Sequence, residues 1–233
     1  MKLENRVGPE AEPFTPFDLE RAIRQSFGDL KWWPAEGPFE VCVGAILTQN
    51  TNWTNVERAI VNLKRDRLLE PQRIVDASHE EIASAIRPSG YFNQKAERLQ
   101  LFSRWLLERF GSIDTLIDAP EEALRAELLA LKGIGPETAD SILCYAAKKP
   151  RFVVDAYTFR ILNRHQLQMH TVGYAQCQHW FEQSLPADPA RLGNIHAGIV
   201  EIGKRWCRPR LADCANCALR AFATQVDGKE NAT

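Results

Sequence analysis

The chain contains 233 residues, with a mass of 26.4 kDa and a formal net charge of −1. Its hydrophobic share of 45% suffices for a packed core and excludes collagen-like and low-complexity proteins, while the balanced charge excludes a polyanion binder that relies on a large positive field. No stretch approaches the ~18 uninterrupted apolar residues of a membrane span, and the amino terminus has no apolar signal core, so we expect a cytoplasmic protein without a membrane partner.

The apolar residues follow a helical period along nearly the whole chain, which predicts an all-α fold. Thr15-Pro16 and Pro38 mark helix starts, and Ser78 opens a capping box with Glu81. In chain order, the predicted helices cover residues 16–28, 38–50, 52–64, 78–88, 93–110, 120–131, 136–148, 157–164, 174–185 and 189–204. The run at 151–157 is the only β-like segment.

Two glycines one residue apart separate two of these helices, in the sequence Lys132-Gly133-Ile134-Gly135. Glycine lets the backbone turn sharply and approach another surface closely. The free N–H groups at the start of the following helix favour an anion such as a DNA phosphate. Taken alone, the pattern fits a simple helix–helix turn equally well.

With Thr138 and Ala139 behind it, this segment resembles the helix-hairpin-helix of DNA glycosylases. Asp155 follows eighteen residues after Glu137. By itself, an Asp before a helix indicates an N-cap. Together with the hairpin and Arg160 it resembles the catalytic Asp of the endonuclease III superfamily.

This resemblance implies a two-domain helix-hairpin-helix glycosylase fold. Residues 30–149 would form a helical barrel domain, and residues 1–29 and 150–233 would form a second helical domain that carries the cysteine loop. Asp155 would lie at their junction. The implied partner is double-stranded DNA with a damaged base, bound by a monomer.

Two further segments resemble the DNA-facing cleft of the superfamily, around Gln49 and around Tyr91. The resemblance implies that Gln49 fills the gap left by an extruded nucleotide and that Tyr91 wedges the opposite strand, because a flipped base leaves a hole in the duplex. The alternatives are that Gln49 caps its own helix and that Tyr91 is a partly buried core aromatic.

Glu137 departs from the pattern of the bifunctional members of the superfamily. Those members carry a lysine at this place, whose amine attacks the sugar and forms a Schiff base. A carboxylate cannot do so. The resemblance therefore implies a glycosylase without AP lyase activity.

Aromatic residues cluster beside the cleft segments, at Trp32, Trp33, Pro34 and Trp53. Indoles that face each other across a gap would stack a flipped purine, and a cationic alkylated purine would gain about 0.5–2 kcal/mol from the ring faces. Together with the cleft segments these residues resemble the 3-methyladenine DNA glycosylase III branch, which implies alkylated purines as substrates. That branch can carry a pocket lysine where this chain has Gly198.

Other interpretations of the same residues stay open. The Trp residues could be core packing, since Trp is highly buried on average. The substrate could instead be an oxidised pyrimidine or a mispaired base. The chain could also be a non-catalytic helix-hairpin-helix DNA-binding protein, although pure binding has no use for a carboxylate such as Asp155 facing phosphates.

Three of the six cysteines, Cys207, Cys214 and Cys217, lie within eleven positions of each other. Their spacing resembles the motif that binds a [4Fe–4S] cluster in endonuclease III, in which a fourth cysteine would stand at Ala223. Four thiolates are the normal complement of such a cluster. Three alternatives stay open: a three-cysteine cluster with an exogenous ligand, a zinc site completed by a histidine such as His196, or an empty remnant.

Overall fold

The structure, a computed structural model, describes residues 14–30, 32–165, 167 and 171–222. Within these ranges the chain forms twelve α-helices and no strand, which confirms the predicted all-α class. The helices are α1 (Pro16–Phe27), α2 (Pro38–Leu47), α3 (Trp53–Arg65), α4 (Pro71–Asp76), α5 (His79–Ala85), α6 (Phe92–Phe110), α7 (Ile113–Asp118), α8 (Glu121–Ala130), α9 (Pro136–Ser141), α10 (Ala156–Arg164), α11 (Gly173–Ser184) and α12 (Pro189–Arg205). In this part of the chain, no helix is both long and apolar enough to cross a membrane.

The helix ends follow the local signals of the sequence. Thr15 and Ser78 both close capping boxes, and Gly111 ends α6 with a φ of 74°. Helices α4 and α7 were not predicted, because six residues are too few for a helical period to show.

One predicted helix, 136–148, has a different form in the structure. Helix α9 ends at Ser141 and continues as a π-helical turn over Ile142–Ala146. The β-like run does not pair as a strand; Phe152, Val153 and Val154 are extended and fully buried. Apolar residues therefore accumulate here because the segment passes through the interior between two groups of helices.

The helices pack around two separate hydrophobic cores. The first core draws on residues between Phe39 and Val153, with nearly all of α2 buried at its centre. The second combines α1 with α10, α11, α12 and the cysteine loop. The boundaries of the two predicted domains stay a prediction.

A buried polar bridge joins the helices of the two cores. Asp140 of α9 is fully buried, and Arg125 donates to its carboxylate at 2.7 and 3.1 Å. From α11, the Tyr174 hydroxyl and the Gln178 amide both donate to Asp140 Oδ2, at 2.8 and 2.7 Å. Because a buried carboxylate is costly without such partners, this bridge fixes α9 against α11.

Candidate active site

A cavity of about 890 Å³ lies where the two cores meet. Its wall includes many of the residues singled out in the sequence: Trp32, Trp33, Pro34, Gln49, Trp53, Gly133, Glu137, Thr138 and Asp155. The wall also includes Arg98 and Tyr157, which the sequence patterns did not indicate, together with Lys204 and with His196, which the sequence indicated only as a possible zinc ligand. Predicted DNA-binding residues that do not line the cavity are Tyr91, Lys132, Ile134 and Gly135.

Asp155 divides its carboxylate between two tasks. As the N-cap of α10, its Oδ1 accepts from the Thr158 backbone N–H at 2.7 Å and from the Thr158 hydroxyl at 2.8 Å. Oδ2 lies 3.5 Å from Nε2 of His196. Asp155 is thus both an N-cap and a residue of the cavity wall, so its capping role does not exclude a role in the cavity.

The charge of Asp155 is set by opposing effects. Burial alone would raise its pKa, but the contact with His196 and the bonds from Thr158 outweigh burial, and the pKa ends below its ordinary value. The carboxylate is therefore held ionised in a buried position, where its negative charge acts strongly on a nearby positive charge.

His196 and Tyr145 lie directly behind Asp155. The Tyr145 hydroxyl lies between two hydrogen-bond partners. Its oxygen is 2.6 Å from His196 Nδ1 and 3.1 Å from the Gly193 carbonyl oxygen. His196 Nε2 is buried and has no hydrogen-bond partner within normal range, since Asp155 Oδ2 lies 3.5 Å away. Tyr145 belongs to the π-helical turn, a deviation that often occurs at functional sites.

Glu137 lies at the start of α9, beside the same carboxylate. Solvent reaches it in the open cleft, but the surrounding protein displaces much of its hydration shell. This desolvation raises the pKa of Glu137, the negative charge of Asp155 raises it further, and His196 acts in the opposite direction. The two carboxyl groups therefore have pKa values displaced in opposite directions.

The aromatic residues do not form the expected facing pair. Trp33 and Trp53 meet edge to face, with centroids 5.4 Å apart at 73°, so no base fits between them as arranged. Trp33 also lies against Gly44, where an added Cβ would meet its Nε1 at 3.1 Å, and against Tyr145. Trp33 has a φ of 73°, a strained value for a bulky residue. It is part of the packed wall rather than one half of a gap.

Gln49 is tied to the hairpin. Its Nε2 donates to the Gly133 carbonyl at 3.0 Å and to the Thr138 hydroxyl at 2.9 Å, and Arg98 donates to its Oε1. Gly133 has a φ of 89°, and an added Cβ there would lie 2.4 Å from Arg98 Nε. Glycine is therefore required both by the turn and by the arginine that crosses it. The alternative that Gln49 caps its own helix finds no support in these contacts.

Tyr91 is an exposed aromatic with 65% of its surface accessible. Its φ of 45° lies in the left-handed region, which costs energy for a non-glycine residue. The alternative of a partly buried core aromatic is therefore wrong. Nearby Lys95, which is buried, donates to the Leu47 and Ser89 carbonyls at 2.8 and 2.7 Å and so links the end of α2, just before Gln49, to the turn before Tyr91.

A lysine lies in the cavity wall, but not at the position that the resemblance indicated. Gly198 faces the second core, where an added Cβ would lie 2.3 Å from Ile23. Lys204, on the same helix α12, places its Nζ 5.0 Å from the centroid of the Trp32 ring. His196, Val200 and Lys204 follow each other at intervals of four residues on α12 and all line the cavity, so the helical period predicts that they share one face.

The cysteine loop is held by arginines. Arg164 donates to the Cys207 thiol at 3.1 Å and to the carbonyls of Arg208 and Pro209 at 2.8 and 2.9 Å. Arg160 donates to the Cys207 carbonyl at 2.8 Å. These bonds tie the loop to α10.

A metal centre does not fit this loop as it is described. Among residues 14–30, 32–165, 167 and 171–222, no three His, Cys, Asp or Glu side chains come together as a metal site. The suggestion that His196 completes a zinc site is wrong, because Tyr145 binds one of its nitrogens and Asp155 faces the other. Ala223, the position of the absent fourth cysteine, lies outside the described residues.

Comparison with known proteins identifies the class. A model of the HhH-GPD superfamily of base excision DNA repair proteins matches residues 43–186, and the chain belongs to this superfamily. It is a DNA glycosylase of base excision repair, and DNA is its partner.

Individual relatives agree with this assignment. The chain is 42% identical over 208 residues to a protein of Methanocaldococcus jannaschii provisionally named a DNA repair glycosylase, covering 88% of this chain and 94% of the relative. It is 34% identical over 183 residues to endonuclease III of Thermotoga maritima, covering 78% and 81%. The solved structure of the H. pylori 3-methyladenine DNA glycosylase bound to 1,N6-ethenoadenine aligns with a TM-score of 0.73 and 33% identity, over 82% of this chain and 98% of that one.

Proposed function

We propose that this enzyme hydrolyses the N-glycosidic bond of alkylated purines such as 3-methyladenine and does not cleave the DNA strand. The observation that carries the proposal is Glu137. A carboxyl group, and not an amine, stands in the cavity beside Asp155. Without an amine at this place the reaction ends at the abasic site.

Asp155 is the proposed catalytic residue. As the bond to the base breaks, positive charge develops on the sugar, and a buried ionised carboxylate stabilises that charge and orients a water. The depressed pKa of Asp155 supports this role, because the group stays charged at neutral pH. A purine alkylated on the ring is already cationic and needs little help from a general acid to leave.

The base would enter the aromatic side of the cavity. Trp32 and Pro34 offer surface there, while Trp33 and Trp53 form the packed wall behind. A relative whose own structure holds an ethenoadenine supports the choice of a modified purine.

The remaining predicted residues would hold the duplex. Gln49, fixed at the hairpin by three contacts, would fill the gap left by the extruded base, and exposed Tyr91 would wedge the other strand. Lys132 and the backbone of the Gly133–Gly135 hairpin would contact phosphates. We also propose that the protein acts as a monomer, in the cytoplasm on the nucleoid.

One observation favours a second candidate, a neutral damaged or mispaired base. The Lys204 ammonium lies over the Trp32 ring, so a cation already occupies one aromatic face of the cavity. A second cation at that ring would be repelled by Lys204, whereas a neutral base would not.

Two assays test the proposal. The first measures base release from a panel of duplexes that each carry one lesion, and the second asks whether borohydride traps the enzyme on the same duplexes. We expect release of 3-methyladenine and 7-methylguanine, strand breaks only after alkali, and no protein–DNA adduct with borohydride, while a bifunctional endonuclease III traps as the positive control. Preferred release of thymine glycol, or a trapped adduct, would contradict the proposal. Preferred release of hypoxanthine would favour the neutral-base candidate.

A further inference from the structure

A chain of polar groups leads from Tyr145, in the first core, through His196 to Asp155. His196, on α12, is 6% exposed and lies between the Tyr145 hydroxyl, 2.6 Å from its Nδ1, and the Asp155 carboxylate, 3.5 Å from its Nε2. Nε2 has no other partner, although it is buried and borders the cavity. A buried polar atom left in this way calls for a functional explanation.

The protons can be placed by counting donors. Tyr145 has one hydroxyl proton, which goes either to His196 Nδ1 or to the Gly193 carbonyl. In the first case Nε2 carries the imidazole proton. In the second case Nδ1 donates to Tyr145, and a bare Nε2 would turn its lone pair towards the Asp155 carboxylate in a buried place, which is strongly unfavourable. For a neutral imidazole, the first case is therefore the favourable one, and it puts an N–H on the side of Asp155.

From this arrangement we propose that His196, oriented by Tyr145, is a positioning residue that fixes the second carboxylate oxygen of Asp155 during base excision. The inference rests on the proposed catalytic role of Asp155. Thr158 fixes Oδ1 and His196 steers Oδ2, so the carboxylate has one orientation towards the sugar. A preorganised charge stabilises a transition state without reorganising during the reaction.

The pH dependence has a definite sign. Burial raises the pKa of Asp155, and the contact with His196 is the first of the effects that lower it. Removal of the imidazole takes away this lowering effect while the raising effect of burial remains, so the pKa of Asp155 rises. The carboxylate then takes up a proton at a higher pH, and the acidic limb of the rate profile moves upwards.

Other titratable or charged groups face this pair from every packed element: Glu137 on α9, Tyr145 on the π-helical turn, Cys177 on α11, Lys204 on α12 and Arg98 on α6. Glu137 is the one among them whose raised pKa could produce an acidic limb of its own. The pH–rate profile of the wild-type protein and of each variant is therefore measured twice, once with Glu137 present and once with the additional substitution Glu137→Gln.

The test compares three single substitutions by single-turnover base release across pH. His196→Phe keeps the ring shape and removes the donor, while Tyr145 keeps the Gly193 carbonyl as its partner. We expect a rate loss of roughly 10–100-fold at neutral pH, the equivalent of a hydrogen bond to a charged group. We also expect the acidic limb to move up by about one pH unit. Tyr145→Phe should shift the limb in the same direction by less.

Tyr174→Phe is the matched control. Its hydroxyl is buried at the same junction but bonds to Asp140 and the Val154 N–H, not to Asp155 or His196. Any loss it causes should be the same at every pH. If His196→Phe leaves the limb in place, or lowers the rate equally at every pH, the inference is wrong.

Two further measurements keep the outcomes separate. If His196→Phe does not fold, as judged by circular dichroism, Tyr145→Phe and His196→Gln decide on the same criterion, with Gln restoring part of the rate and the limb. If Asp155→Asn retains the wild-type rate, the proposed function itself fails. If Asp155→Asn is inactive while the limb does not move in the His196 and Tyr145 variants, only the positioning role fails.

Discussion

The junction around Asp155 and the loop around Cys207 were both recognised by residue spacing, and they turned out differently. At the junction, residues far apart in the chain converge: Glu137, Asp155 and His196 border one cavity. In the loop, Cys207 and Cys217 are buried but Cys214 is exposed, and an arginine holds the Cys207 thiol. At the junction the described residues bring the chemical partners together, whereas in the described part of the loop they form no group of three metal-binding side chains.

The difference shows what holds each region together. At the junction, polar groups satisfy one another around a buried charge, so the loss of one leaves others unpaired. In the loop, arginine guanidinium groups bond to three backbone carbonyls and to the Cys207 thiol, so most of these bonds do not depend on the identity of the cysteines. Substitutions should therefore separate residues that act through the cavity from residues that only maintain a shape.

The largest expected effect on stability is at the cavity wall. Trp33→Ala removes a ring that packs on Gly44, Trp53 and Tyr145 and should lower the free energy of unfolding by about 3–5 kcal/mol in a urea titration. Neighbouring Pro34 is exposed, and Pro34→Ala should change it by less than about 0.5 kcal/mol. If Trp33→Ala folds with undiminished stability, the ring serves only the ligand and the wall is not part of the core.

A smaller loss is expected in the loop. Arg164→Ala removes three hydrogen bonds and should lower the free energy of unfolding by about 1.5–3 kcal/mol. Cys214→Ser, at an exposed thiol, should change it by less than about 0.5 kcal/mol, and a chelator should leave the melting temperature unchanged. A strong effect of Cys214→Ser or of the chelator would show that a metal holds the loop and would remove the contrast with the junction.

The smallest expected effect concerns the choice of base. Lys204→Met removes the ammonium over Trp32 but keeps an apolar chain of similar length. Release of a cationic base relative to a neutral one should rise roughly two- to five-fold, which corresponds to about 0.5–1 kcal/mol. Competition between duplexes with 3-methyladenine and hypoxanthine measures the ratio. An unchanged ratio would mean that the flipped base does not meet the Trp32 ring.

Much of the fold could be predicted because its signals are local. Prolines, capping boxes and glycine ends placed most helices within a few residues, and Thr15 and Ser78 act as expected. The π-helical turn could not be predicted, because the apolar pattern of Ile142–Ala146 fits an α-helix equally well.

The candidate site was predictable only where the resemblance supplied a motif. The resemblance could indicate Asp155, Glu137 and Gln49, whereas the contact between His196 and Tyr145 behind Asp155 could not be predicted. Their role depends on contacts across 51 positions of sequence, which no local pattern records. The expectation of facing indoles failed for a related reason, since the angle between two rings is set by packing alone.

The proposed reaction depends most directly on Asp155. Asp155→Asn retains the N-cap oxygen for Thr158 and removes the negative charge, so the fold should persist. In single-turnover assays on a 3-methyladenine duplex we expect base release to fall by about 10²–10³, the cost of losing one electrostatic stabiliser of a transition state, while DNA binding in a mobility-shift assay is retained or improved. Release at the wild-type rate by a folded, DNA-bound Asp155→Asn protein would contradict the account.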